Sequence, residues 1–355
     1  MRINIIISHI MKTGGLRIIF DYANKLIEKG NDVVLYQTLI PYKQKKKISN
    51  KERIHLIKDK IYFLKSQKNI IKSYGEIKFR IKFIPFVTDL FLLDADAILF
   101  SYWPIAYKVK NLKPSKGKVL YLIQAYENWN SDLDLLNSTY NLGFKNITIS
   151  EELRKKVYNI SGAESVVIND GIDFSKFYNN EKIFKKNKKI ISFVYYNMEF
   201  KGVSEILEVV ERIHYSYDNV EFLCFSMSQP EKLPDYITFI HNPDDTKIRE
   251  IYCNSDIFIS ASREEGFYLV PAEAMACGCA VVTSKVGAVP DFSVHKLDSM
   301  HFTPGNIDEM EYCVRYLLDN PGELEKISLN GYQNIRKKLN LEKSVNMIEQ
   351  LINDP

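Results

Sequence analysis

Several things are missing from this 355-residue chain, and each absence narrows its class. No stretch approaches the roughly 20 apolar residues that a membrane-spanning helix needs. The start, MRINIIISHI, is a short apolar run without a signal-peptide cleavage pattern and reads as a first buried strand. There are only five cysteines, an odd number with no metal-site spacing. Cys277 and Cys279 form a C-G-C too tight for a zinc knuckle, so they read as small buried residues at a helix end. A reduced, cytoplasmic setting is the expectation. No G-x-G-x-x-G follows a strand, which argues against a nicotinamide-dependent enzyme. Low-complexity tracts, short repeats and nucleic-acid-binding motifs are also missing. The six histidines are scattered as singles, so no Ser-His-Asp arrangement is legible. His9, at the end of the first strand, is the one near a candidate loop.

What is present suits a soluble protein of two domains. The composition is 46% hydrophobic and 26% charged, and the length is comfortable for two cores. The net charge is +4, but it is unevenly spread. Residues 1–110 hold 21 Lys and Arg against 9 Asp and Glu, leaving a net −8 for residues 111–355. The excess lies between Lys43 and Lys82, with Tyr62, Phe63, Phe79 and Phe83 interleaved. Such a segment suits an anionic membrane face or a phosphorylated acceptor. It reads equally as a solvated surface.

Strands and helices alternate along the chain, which argues for α/β architecture with parallel sheets. Ile3–Ile7 is an apolar strand interrupted only by Asn4. A loop with Thr13, Gly14 and Gly15 follows, then a helical pattern from Ile18 to Ile27 ended by Gly30-Asn31. Strands are expected at 32–36, 97–101, 119–123 and 146–150. A second set begins at Lys189, with strands at 190–195, 221–225, 237–240, 256–260 and 280–283 and helices at 203–214 and 247–253. The polar stretch 179–188 reads as a linker. Asp94-Ala95-Asp96 precedes an apolar strand and reads as a surface turn, not a metal-holding D-x-D.

The run from Ser262 to Phe292 carries the strongest pattern, E-G-F-x-L-x-x-x-E followed by A-M-A-C-G. Pro271 is expected at the first position of a helix. Glu273 would then lie in its first turn and Glu265 in the loop before it. Both carboxylates would stand beside unpaired N–H groups at the positive end of a helix dipole, a place for an anion such as a diphosphate.

This segment resembles the E-x7-E signature of retaining glycosyltransferases of family 4 type, also called glycosyltransferase group 1. The resemblance implies a GT-B fold, two Rossmann-like domains facing a central cleft. It implies an acceptor-side domain at 1–178, a donor domain at 179–340, and a helix at 341–355 that crosses back to the first domain. Glu265 would hold hydroxyls of the transferred sugar, and Glu273 the ribose of the nucleotide. Backbone amides of Gly266, Phe267, Tyr268, Leu269 and Val270 would face the donor phosphates, with Gly15 in the first loop also on the donor side. Lys201, before Gly202, would contact the diphosphate. The family's usual arginine five residues earlier is Tyr196 here, which removes a fixed charge that Arg17 or Lys285 would have to replace. Asn169-Asp170-Gly171-Ile172-Asp173 matches a family element with an early inserted aspartate.

The stretch Q-x-Y-E-x-W is similar to rhamnosyltransferases that build bacterial surface glycans. It places Gln124, Glu127 and Trp129 on the acceptor side, although Trp129 reads equally as a core or surface anchor. The expected reaction moves a hexose from dTDP-rhamnose or a UDP-sugar to a hydroxyl of a cell-surface glycan or lipid-linked acceptor. Lys201 and Glu265 are the expected catalytic residues, with no metal and no cofactor. The protein would work in the cytoplasm, peripherally at the inner face of the plasma membrane. The alternatives are a GT-B-like sugar-nucleotide epimerase and a non-catalytic glycan- or nucleotide-binding relative.

Overall fold

The computed structural model describes residues 1–11, 13–40, 42, 58, 67, 69–72, 74–129, 131–179 and 188–354. Lys12, most of the basic segment and residues 180–187 of the expected linker therefore lie outside the described residues. The chain forms two units, Met1–Gly171 with Leu341–Pro355, and Ile172–Asn340.

The first unit is a parallel sheet of seven strands in the order β3-β2-β1-β4-β5-β6-β7. The strands are β1 (Arg2–Ile7), β2 (Asp32–Thr38), β3 (Arg80–Ile84), β4 (Ala97–Phe100), β5 (Lys118–Ile123), β6 (Lys145–Thr148) and β7 (Val166–Val167). β1 is central because it is apolar and buried on both faces, as parallel sheets covered by helices require. Ile3 pairs with Val33 on one side and with Ala97 on the other. Helices α1 (Gly14–Glu28), α2 (Leu133–Thr139) and α3 (Glu151–Ser161) are capped by Thr13, Asp132 and Ser150, whose side chains accept backbone N–H groups of the first turn. The C-terminal helix, Leu341–Asn353, packs on α1. Glu349 accepts from Asn31 and pairs with Lys29.

Asp94 and Asp96 are structural. Asp94 accepts from Ser115 and Lys116, and Asp96 accepts the Arg2 backbone N–H at 2.7 Å. They brace the amino ends of β1 and β4, the opposite end of the sheet from the strand ends where ligands bind in such folds.

The second unit is a six-stranded parallel sheet in the order β10-β9-β8-β11-β12-β13. Its strands are β8 (Lys189–Val194), β9 (Val220–Ser226), β10 (Ile237–His241), β11 (Ile257–Ser260), β12 (Ala280–Ser284) and β13 (Met300–Phe302). Helices α4 (Val203–His214), α5 (Asp245–Asn254), α6 (Leu269–Ala276), α7 (Ile307–Asp319) and α8 (Pro321–Lys338) connect and follow them. Ile191, Phe193, Ile206, Val210, Ile259 and Val282 belong to one buried core. Cys277 and Cys279 are fully buried around the C-terminus of α6, and Gly278 between them takes a positive φ of 80°. None of the five cysteines is in a disulfide. No described helix is long and apolar enough to cross a membrane.

The inserted Asp170 is almost fully buried in the first unit, with Tyr22 O–H 3.5 Å from its carboxylate. Burial pushes this carboxyl up to about 8, and the Tyr22 hydrogen bond offsets part of the rise. The folded-state value lies above the unfolded one, so the associated stability is fully present below about pH 4 and is lost as pH rises towards 8. Asp170→Asn, neutral at every pH, is therefore expected to raise the melting temperature above that of the parent at pH 8 and to flatten its pH dependence between 5 and 8. Thermal unfolding across that range checks this; parallel profiles for the two proteins would contradict it.

Candidate active site

In the second unit, β8 and β11 are neighbours from which the chain winds outward in opposite directions. Crevices at the carboxyl ends of such strands are where open parallel sheets place ligands. Residues 195–202 leave β8 and residues 261–268 leave β11, so the fold brings these two loops together.

The first loop ends in a 3-10 turn, Glu199–Lys201, and then Gly202 at φ 66°. A Cβ on Gly202 would stand 2.2 Å from the Ala261 carbonyl oxygen. Only glycine permits both the left-handed backbone and this approach. The second loop is held from both sides. Arg263 N–H donates to the Phe200 carbonyl at 2.7 Å, and Ala288 N–H donates to the Phe267 carbonyl at 2.9 Å. Gly287, at φ 59°, leaves room for that second contact; its Cβ would meet the Phe267 oxygen at 2.9 Å and Glu265 at 3.2 Å.

Lys201 Nζ lies 2.5 Å from Glu265 Oε1, with both side chains mostly shielded from solvent. The ammonium also stands 5.1 Å from the centre of the Tyr196 ring and 5.2 Å from that of Phe200. Tyr196, where a second cation was expected to be missing, thus offers its ring face to Lys201. The phenol of Tyr196 is pushed well up, first by burial and then by the neighbouring Glu265, Tyr268 and Glu273, so it stays neutral. Arg17, one suggested substitute for the missing charge, lies 3.9 Å from Asp21 in the first unit. Lys285 is exposed; His295 and His301 are lowered first by burial, and the charge of Lys285 adds to both.

The helix after Glu265 begins earlier than its proline suggested. α6 starts at Leu269, so Pro271 is its third residue and Glu273 its fifth, in the second turn. Proline is tolerated there because the first-turn N–H groups have no intrahelical acceptor. Glu273 is buried and near Tyr252 and Tyr196, whose phenols its charge raises. Leu269 and Val270 are half-buried, whereas Phe267 and Tyr268 are buried. No side chain caps the start of α6, which leaves its first amides to a ligand or solvent.

Sequence reasoning had no role for Arg263, Gly287 or the Glu205 carboxylate. Arg263 makes a two-pronged contact with Glu205, 3.0 Å from Nε and 2.5 Å from Nη2. It thereby ties the loop to the first turn of α4. Gly202, after Lys201, and Gly287, within the 262–292 run, stood in the sequence as plain residues; only the three-dimensional approach shows why they are glycine.

In the first unit, Gln124 and Gly15 come together. Gln124 Nε2 donates to the Gly15 carbonyl at 2.9 Å, and its amide lies over the glycine where a Cβ would sit. Thr13 N–H donates to the Tyr74 hydroxyl, which in turn donates to Met11 O at 2.6 Å. His9 bonds Ser8 and faces the Tyr102 ring edge-on. Glu127 is half-buried, and burial pushes its carboxyl up to about 8. Its charge also raises Tyr121 and Tyr140, after their own burial. Trp129 is 58% exposed, which excludes the core-anchor reading and leaves its ring on the surface.

Comparison with known proteins bears on the fold and on the second unit. Residues 175–334 match the family model of Glycosyl transferases group 1. An MMP alpha-(1->4)-mannosyltransferase from Mycolicibacterium hassiacum is 28% identical over 185 residues, covering 49% of this chain and 44% of that protein. An uncharacterized glycosyltransferase from Methanocaldococcus jannaschii is 26% identical over 219 residues, covering 54% and 55%. The matched part thus spans about half the length of these curated relatives. Among solved structures, Anabaena HepE in complex with UDP superposes with a TM-score of 0.76 at 13% identity, covering 99% of each chain. A sucrose-phosphate synthase from Thermosynechococcus elongatus gives 0.73 at 15% identity, covering 99% of this chain and 98% of the other. The two parallel-sheet Rossmann-like domains are those of the GT-B fold.

The close approach at Gly202 generates a direct expectation. Gly202→Ala forces a side chain into left-handed backbone against the Ala261 carbonyl, and is expected to lower unfolding stability by about 2–3 kcal/mol. Denaturant unfolding measures it; a variant as stable as the parent would contradict the packing described.

Proposed function

We propose that this protein is a glycosyltransferase that takes a hexose from a nucleoside-diphosphate sugar and passes it to a hydroxyl of a glycan or lipid-linked acceptor. The observation that carries the reading is the Lys201–Glu265 pair beside the uncapped start of α6, at the crossover of the second sheet. It is supported by the family match over that same unit, and by the UDP complex of Anabaena HepE, which shares the fold.

The chemistry follows from charge. A departing nucleoside diphosphate gathers negative charge on its oxygens. Donors already aimed at that position lower the barrier, because they need no reorganisation as charge develops. Lys201 supplies a full charge, and the amides of Leu269 and Val270 supply the helix-terminal partial charge. Glu265 takes the sugar hydroxyls, as the resemblance implies. A carboxylate already paired with a lysine is a poor attacking group, so Glu265 is assigned to positioning and not to a covalent intermediate. Glu273 is assigned to the ribose. This reading calls for no metal ion.

On the other side of the reaction, Gln124, Glu127 and Trp129 are assigned to the acceptor. An exposed indole face stacks on a sugar ring, and a carboxyl held near neutrality both donates to and accepts from hydroxyls. The finer proposal is a retaining rhamnosyltransferase of bacterial surface-glycan assembly, with dTDP-rhamnose or a UDP-sugar as donor. We place it at the cytoplasmic face of the membrane. The basic excess of residues 1–110 and the exposed Phe83, Phe86 and Leu90 support contact with anionic lipid.

Transfer assays with a panel of nucleotide sugars test the reading. Glu265→Ala is expected to lower kcat by about 100-fold or more in a protein that is still folded, with a lower melting temperature because Lys201 is left shielded without its partner. The anomeric configuration of the product, read by NMR, should match the donor's. Full activity of Glu265→Ala would remove the assignment, and an inverted product would remove the retaining mechanism.

A further inference from the structure

The residue that opens α6 is a tyrosine in a conformation that favours glycine. Tyr268 has φ 85° and ψ 63°, in the left-handed region. A large side chain is strained there, whereas glycine would carry no such cost. Its side chain is only 6% exposed and turns inward, away from any ligand at the loop's outer edge. Its phenol oxygen accepts the Ser262 backbone N–H at 2.9 Å and shares a short hydrogen bond with the Ser260 hydroxyl. Ser260 is the last residue of β11, and both serines are buried. The loop is therefore closed on itself through one hydroxyl, from the strand end to the helix start.

Apart from Lys201, on the loop after β8, the groups assigned to the donor phosphates and sugar lie inside or just past that closed loop. Glu265 stands within it, and the first amides of α6 follow directly. The neighbouring ties act at other points: Arg263 to Phe200, Phe267 to Ala288, and Ser284 Oγ to the Ser262 carbonyl at 2.6 Å. None of them sets the turn at residue 268 itself. Without the phenol hydroxyl, a buried N–H and a buried serine hydroxyl lose their partner, and the strained turn loses what opposes it.

We propose that Tyr268 is a positioning residue: its buried phenol holds the left-handed turn that aims the first amides of α6 at the donor diphosphate and the Glu265 carboxylate at the transferred sugar. This rests on the donor reading given above and adds a residue whose side chain acts without touching the ligand. In a nucleoside diphosphate, which carries no transferred sugar, its effect falls on the phosphates. The nucleoside part of a donor would not feel it.

Tyr268→Phe keeps the ring and removes the hydroxyl. Isothermal titration should show the affinity for the best-binding nucleoside diphosphate falling about tenfold, near the value of one net hydrogen bond, with the affinity for the matching nucleoside unchanged. In the free protein, hydrogen exchange at the amides of residues 262–270 should accelerate by at least about tenfold. Equal losses for nucleoside and diphosphate would reduce Tyr268 to a general structural role and overturn the proposal. So would unchanged exchange in Tyr268→Phe. If the parent protein binds no nucleoside diphosphate, the donor reading itself fails, and with it the phosphate role; the exchange measurement then still decides whether the hydroxyl holds the turn.

Discussion

Lys201 and Glu265 come from two different loops and meet 2.5 Å apart, in a place that shields most of each side chain from water. Removing both charges from water costs free energy that their attraction only partly returns, so such a pair is weak evidence of stabilisation. It makes better sense as two charges kept in place for a ligand. Keeping them there depends on the backbone: Gly202 seated on the Ala261 carbonyl, Gly287 beneath Phe267, Arg263 clamped to Glu205, and the Tyr268 hydroxyl closing the loop. The first three tie the loop after β11 to its neighbours, and the fourth closes that loop on itself. The crossover between β8 and β11 is what makes those strand ends neighbours.

Substituting tyrosine for a second cation changes the electrostatics of the site in a definite way. The Tyr196 phenol remains neutral, and its ring lies against the lysine ammonium. The site then holds one full positive charge, already facing a carboxylate, together with the partial charge of a helix terminus. A diphosphate entering it would compete with Glu265 for Lys201. Binding in that arrangement depends more on aimed backbone amides than on net charge, which is why the geometry at the start of α6 matters so much here.

Much of the architecture was legible because buried parallel strands read as nearly continuous apolar runs, and Ile3–Ile7, Ile190–Val194 and Ala280–Thr283 are such runs, each with one polar residue, Asn4, Ser192 and Thr283. The helix 203–214 was placed at its observed bounds, since its apolar period and flanking glycine agree. The start of α6 was misplaced by two residues. Proline is a true signal of a first turn, but the turn here is set by a left-handed tyrosine, and a positive φ on a large side chain leaves no mark in a sequence. The same limit hid Gly287 and the Arg263–Glu205 pair, which exist only as approaches between distant segments. Trp129 was ambiguous because an indole suits a core and a binding face alike; exposure settles which surface it occupies, not what it binds.

The claim on which the account turns is that these loops hold a nucleoside diphosphate. Thermal unfolding with UDP, dTDP, GDP and ADP tests it most directly, since a ligand that binds only the folded protein must stabilise it, by about 2.7 kcal/mol at a hundred times its dissociation constant. The account predicts a clear rise with at least one of the four, and the same rise with and without magnesium. No rise with any of them at millimolar concentration would contradict it.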